Sequence, residues 1–259
     1  MRALCIQFSI AWQDKSANFA RVTGFLDGVI PPAGSLLVLP EMFATGFSMD
    51  IEAVAEEGPE PTEAFLGSLA TRHGCFVIGG RVSRADDGVG SNDAIVLGPQ
   101  GRRLQCYRKM HPFSYGGEDE HYAAGREPVI FDWNGMKVCP LVCYDLRFPE
   151  VFRTAVLRGA ECFVVIANWP RARQEHWEIL LKARAIENQS YVIGVNRTGE
   201  DPQVKYRGGS LIIDPRGEVL AEAGDEETVL SAELDRKDLE DYRRRFPALR
   251  DIHQDFIRP

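Results

Sequence analysis

The chain has 259 residues, 44% of them hydrophobic and 26% charged, which suits one large layered domain or two small ones. A chain of this size buries about three quarters of its unfolded surface on folding, so no covalent staple is required. The formal net charge of -8 argues against a nucleic-acid surface, and the basic run Tyr242-Arg243-Arg244-Arg245 sits among acidic residues as a solvated helix face.

Short Val- and Ile-rich runs alternate with helical patterns along the chain. Residues 3–10 form an apolar stretch too short for a secretory signal; it contains Gln7 and lacks a small-residue cleavage site. Helical spacing follows over 18–29, then a buried strand over 35–39 in SLLVLPEM. A helix is predicted over 61–73 and a strand from Cys75 in CFVIGGRV. Residues 92–107 read as a hairpin turning at VLGPQGRRL. The run KVCPLVCYD gives a strand from Lys137, and Pro149 opens a helix over 149–158, where its missing N–H would have no partner in any case. CFVVIANW gives a strand from Cys162, residues 176–188 a helix, and SYVIGVNR a strand from Ser190. A second hairpin over 210–221 turns at IIDPRGEVL and resembles the first. Hairpins in both halves of a strand–helix pattern imply α/β layers with two sheets, not one doubly wound sheet. No linker divides the chain, so a single domain over 1–259 is expected, ending in a polar, extended tail from about residue 235. No run reaches transmembrane length.

Six cysteines stand at positions 5, 75, 106, 139, 143 and 162, with no CxxC pair and no zinc-ligand spacing. Cys139 and Cys143 lie roughly 13 Å apart along a strand, at ~3.3 Å per residue, too far to bridge. Free thiols point to a reducing compartment, and a cytoplasmic location is expected.

Three buried runs end in polar residues that hydrophobic packing does not explain, and the C-terminal ends of strands are where α/β proteins collect ligands. Glu41 follows LLVLP, Cys143 follows CPLV, and Asn168 with Trp169 follows FVVIA. A thiol at a strand-to-helix transition lies near backbone amides that favour a thiolate and can hold an oxyanion. Free cysteine is ordinarily a core residue, and the other five are expected to take that role. Cys143 differs because Tyr144, Asp145, Arg147 and Glu150 crowd after it. Glu41 alone would be a surface carboxylate; desolvated, its pKa would rise from ~4.3 and suit proton transfer. Lys109 in CYRKMHPF and Glu118 in YGGEDEHY complete the set, with Asp119 and Glu120 competing with Glu118.

LPEMF around Glu41, YRKMHPF around Lys109 and LVCYDLRFPE around Cys143 resemble, in order and spacing, the Glu-Lys-Cys signature of the nitrilase, or carbon–nitrogen hydrolase, superfamily. The resemblance extends to about Ala221 and implies a four-layer αββα sandwich, usually dimeric. It also matches the family's additional glutamate to Glu118, seven residues before Gly125. CYDLRFPE, ANWP, His176-Trp177 and ARAIENQ are most similar to the omega-amidase branch, which takes α-keto amides such as 2-oxoglutaramate or 2-oxosuccinamate to keto acid and ammonia. Aromatic nitrilases typically carry Trp after the nucleophile, where this chain has Tyr144.

The implied mechanism has Glu41 as base, Cys143 as nucleophile, Lys109 and the Tyr144 N–H at the oxyanion, and Glu118 holding Lys109 or the leaving amine. Side chains supply every group, so no metal or organic cofactor is expected. An α-keto acid needs a cation for its carboxylate and flat walls for its carbon chain. Arg173 is the candidate cation, with an ordinary surface arginine as the alternative; Phe43, Tyr115 and Trp169 are candidate walls. Arg147 is expected to pair with an acid near the nucleophile. The expected partner is a small amide, with neither nucleic acid nor membrane. The alternatives are an amidase for deaminated glutathione or an N-carbamoyl acid, and a non-catalytic binding module of the same fold.

Overall fold

Strands covered on both faces read as unbroken apolar runs, and those runs become the centre of two six-stranded sheets. The computed structural model describes residues 1–56, 61–84, 88–253 and 255. The first half of the chain gives β1 (Arg2–Gln7), α1 (Lys15–Asp27), β2 (Leu36–Val38), α2 (Ile51–Val54), α3 (Pro61–His73), β3 (Phe76–Arg84), β4 (Gly90–Leu97) and β5 (Arg103–Arg108). The second gives β6 (Phe131–Trp133), β7 (Met136–Val142), α4 (Pro149–Leu157), β8 (Cys162–Ala167), α5 (Gln174–Asn188) and β9 (Tyr191–Asn196). It continues through β10 (Thr198–Glu200), β11 (Lys205–Arg207), β12 (Leu211–Ile213), β13 (Val219–Glu222), β14 (Thr228–Glu233) and α6 (Arg236–Arg245).

The two sheets repeat one plan. The first runs β14-β1-β2-β3-β4-β5, with β1, β2 and β3 parallel, a β4–β5 hairpin on one side and antiparallel β14 on the other. The second runs β6-β7-β8-β9-β12-β13, again three parallel strands, a hairpin, and an antiparallel strand at the far edge. Both predicted hairpins form, with Gly101 at φ 73 and Gly217 at φ 87 closing their turns as only glycine does cheaply.

Alternation along the strands assigns the layers. Cys5, Val38, Ile78 and Val96 of the first sheet share a cluster with Val138, Val142 and Val164 of the second, so these faces meet. Ile6, Leu37, Val77 and Ile95 point the other way, onto Val22 and Leu26 of α1 and Leu66 and Leu69 of α3. On the second sheet's outer side lie α4 and α5, through Phe152, Trp177 and Leu181. The result is helix, sheet, sheet, helix, as the resemblance implies.

The segment after Asp235 departs from the predicted extended tail. Asp235 caps a helix by accepting from the N–H of Lys237, and α6 follows with Leu239 buried. Its other positions are polar, so apolar periodicity gave no sign of it.

Candidate active site

The C-terminal ends of β2, β7 and β8 converge at one edge of the sandwich, and each delivers one polar group. After β2, the chain turns at Glu41-Met42, with Met42 at φ 43. Gly80 of β3 makes room for this turn: a Cβ there would stand 2.2 Å from the Met42 nitrogen. Cys143 follows β7 at φ 46 and opens a 3₁₀ turn, Cys143–Arg147. A left-handed cysteine is strained and needs to be held. The fully buried Asp145 holds it, accepting from the Val142 N–H at 3.0 Å, Tyr107 OH at 2.8 Å, His111 N–H at 3.0 Å and His111 Nδ1–H at 2.8 Å. One carboxylate thus ties the cysteine turn to the segment that carries Lys109.

Glu41, Lys109 and Glu118 form a buried triplet with at most 1% of any of them exposed. Lys109 Nζ donates to Glu41 Oε1 at 3.0 Å and to Glu118 Oε2 at 2.7 Å. Asn92 of β4 donates from the same Nδ2 to Glu41 Oε1 at 2.7 Å and Glu118 Oε1 at 2.8 Å. The Asn168 N–H, just beyond β8, reaches Glu41 Oε2 at 2.8 Å, and the Phe113 N–H reaches Glu118 Oε2 at 2.6 Å. Burial alone would lower the Lys109 pKa, but the Glu118 and Glu41 charges outweigh it and hold the ammonium above its ordinary value. Glu118 is raised by burial, with Lys109 opposing and Glu41 adding to the rise. Burial also pushes the Cys143 thiol well up, helped by Glu41 and opposed by Lys109, so the resting group is the thiol and needs a base.

Cys143 and Lys109 stand in a cavity of about 530 Å³. Of the predicted pocket residues, Tyr144, Tyr115, Trp169 and Arg173 line it. Phe43 does not: it is fully buried behind the first sheet, 6.0 Å from Phe19 and 6.1 Å from Phe65 between ring centres. Phe47 and Phe113 supply the aromatic wall instead, with Lys109 Nζ 5.3 Å from the Phe47 ring centre. Arg147 also departs from expectation. No carboxylate among the described residues pairs with it; it lies 4.8 Å over the Trp169 ring, with Nη2 3.2 Å from His176 Nδ1, and lines the cavity beside Arg173. Arg173 lies 5.4 Å over the Phe113 ring. The β10–β11 hairpin adds Tyr206, whose hydroxyl donates to Asp201 at 2.6 Å. Asn92 is the residue that sequence reasoning passed over. The signal was present, since Ser-Asn-Asp interrupts an otherwise apolar strand.

This fold and site define a hydrolase of non-peptide carbon–nitrogen bonds in linear amides. The protein-family model described as carbon-nitrogen hydrolase matches residues 2–244, and the chain belongs to that family, within the nitrilase superfamily. It is 36% identical over 252 residues to a 2-oxoglutaramate amidase of Bacillus subtilis (strain 168), covering 97% of each chain. It is likewise 36% identical over 256 residues to the omega-amidase YafV of Escherichia coli (strain K12), covering 98% of this chain and 97% of that one. Among solved structures, a CN-hydrolase superfamily protein from Xanthomonas campestris with an arsenic adduct in its active site superposes with a TM-score of 0.92. It shares 36% sequence identity, over 98% of this chain and 97% of that one.

Proposed function

We propose that this protein is an omega-amidase, hydrolysing the terminal amide of a short α-keto acid amide, 2-oxoglutaramate or 2-oxosuccinamate, to the keto acid and ammonia. Relatives named for this activity over nearly the whole chain support the substrate class. The observation that carries the chemistry is the Lys109 ammonium clamped between Glu41 and Glu118 beside Cys143 at the cavity floor.

Glu41 takes the Cys143 proton as Sγ attacks the amide carbon. Lys109 and the backbone N–H of Tyr144 receive the developing oxyanion. Protonated Glu41 returns its proton to the departing nitrogen, leaving a thioester on Cys143. Glu41 then activates water, and thioester hydrolysis frees the acid. Glu118 fixes Lys109. Arg173 and Arg147, two guanidiniums with no carboxylate partner among the described residues, share the cavity with Tyr115, Tyr144 and Trp169, and are the groups that would read a substrate carboxylate. The sequence pattern points to Arg173 alone for that part; the position of Arg147 in the cavity adds the second.

The same reading makes the protein cytoplasmic, since the six cysteines are free, and a homodimer. Leu157, Ile179 and Ile186 stand 38%, 57% and 53% exposed on the α4 and α5 layer, an apolar surface suited to a second copy. The test is ammonia release across a panel: 2-oxoglutaramate, 2-oxosuccinamate, an N-carbamoyl acid and neutral amides. The keto acid amides should lead by at least tenfold in kcat/KM; a lead by any other class overturns the substrate reading.

A further inference from the structure

Two carboxylates, Glu41 and Glu118, are buried around a single ammonium, Lys109, and that count does not balance. Like charges in a dry site cannot both stay ionised unless something else stabilises them; one ordinarily takes up a proton. Asn92 stands between them. Its Nδ2 sends one N–H to Glu41 Oε1 and the other to Glu118 Oε1, while Lys109 Nζ bridges the same pair from the other side. The four groups close a ring in which each carboxylate receives both a cationic and a neutral donor. Asn92 is 1% exposed, and its Oδ1 has no hydrogen-bond partner among the described residues. A side chain buried at that cost, with both amide hydrogens on the two acids, is placed for its donor end.

We propose that Asn92 is a positioning residue that keeps Glu41 and Glu118 ionised together at neutral pH, and so sets the acid limit of the amidase reaction. The proposal rests on the reading of Glu41 as the base. Only an ionised Glu41 can take the Cys143 proton, so a proton held on the pair at rest switches the enzyme off. The Asn92 bond is among the influences that lower the Glu118 pKa against burial and against Glu41. The other titratable groups facing the pair are Lys109 beyond β5, Cys143 beyond β7, Tyr122 after the Glu118 turn and Tyr206 on β11. None of the other three replaces the donor: Cys143 and both tyrosines would add negative charge if they ionised. Asn168, from beyond β8, serves Glu41 alone.

The experiment compares the pH dependence of kcat/KM for wild type, Asn92→Ala and Asn92→Ser on 2-oxoglutaramate, with Glu41→Gln alongside. Losing a hydrogen bond to the charged form should raise the acid limb by about one pH unit, a tenfold change in the protonation equilibrium. Asn92→Ala should therefore fall about tenfold near the wild-type acid limb and recover to within about threefold two pH units higher. Asn92→Ser, which keeps one short donor, should shift less. Infrared difference spectra of the Asn92 variants in a Cys143→Ala background give a readout independent of turnover. They should show a protonated carboxylic acid that persists to higher pH than in Cys143→Ala alone. A loss by the same factor at every pH, or an unmoved carboxylic acid band, would overturn the proposal and leave Asn92 as packing. A Glu41→Gln enzyme with substantial activity would sink the base assignment itself, and is seen separately from any Asn92 effect.

Discussion

Lys109→Met keeps most of the side-chain volume and removes the one charge that balances Glu41 and Glu118. Both carboxylates are fully buried and Lys109 is 1% exposed, so solvent cannot replace the missing cation. Breaking a buried ion pair by deleting one partner costs about 3–5 kcal/mol. At roughly 2–4 °C per kcal/mol for a chain of about this size, the melting temperature should fall by roughly 6–20 °C. The loss must also depend on pH. Burial already holds Glu118 above its ordinary value with Lys109 opposing, and removing Lys109 raises it further. A carboxylate whose folded pKa is raised leaves stability intact below its unfolded value of ~4.3 and loses it as pH climbs through the folded pKa. The gap in Tm between wild type and variant should therefore widen from about pH 5 to about pH 9. Turnover should drop by about a hundred- to a thousandfold, the usual scale for removing one oxyanion donor. Differential scanning calorimetry across that pH range and ammonia release at saturating substrate give the two readings. A Tm gap constant with pH, or turnover within a few-fold of wild type, would refute both the charge balance and the oxyanion role.

Arg173→Ala and Arg147→Ala should each lower kcat/KM on 2-oxoglutaramate by roughly ten- to a hundredfold, the worth of a charge-assisted hydrogen bond, with little loss on a neutral amide of similar length. Equal losses on both substrates would make the arginine structural. Asp145→Asn replaces an acceptor of four hydrogen bonds with a group that cannot accept them all. Its kcat should fall at least tenfold with KM nearly unchanged, and the rate of Cys143 alkylation by iodoacetamide should fall with it; unchanged alkylation would detach Asp145 from the cysteine turn. Ile179→Glu with Ile186→Glu places two charges on the outer face of α5 and should turn a dimer into a monomer by sedimentation, whereas an unaltered sedimentation coefficient would remove that face from the interface.

The central strands were legible because burial on both faces leaves an unbroken apolar run that stops abruptly at a polar residue. Glu41 and Cys143 stand out in sequence for that reason, as does Asn168. The edges were not. β14 pairs with β1 across nearly the full length of the chain, and nothing local to Thr228–Glu233 announces the partner. α6 has one buried residue, Leu239, too little for a periodic stripe. Within the site, Phe43 and Phe47 look equivalent in sequence. The turn at Met42 sends one behind the first sheet and the other into the cavity. Arg147 illustrates the same limit: an arginine in an acid-rich motif suggests an ion pair, but Asp145 is already filled by Tyr107, His111 and Val142. Asn92 required the two carboxylates to be seen on either side of it.

Trapping the covalent intermediate tests the central claim most directly. Wild-type protein mixed with 2-oxoglutaramate and quenched in acid within the first turnovers should carry a mass increase equal to the acyl group, mapped by peptide digestion to Cys143. The adduct should vanish on treatment with hydroxylamine, as a thioester does, and be absent from Cys143→Ala, whose turnover should be at least roughly a thousandfold lower. An adduct on any other residue, or steady turnover by the Cys143→Ala protein, would contradict the assignment of Cys143 as nucleophile.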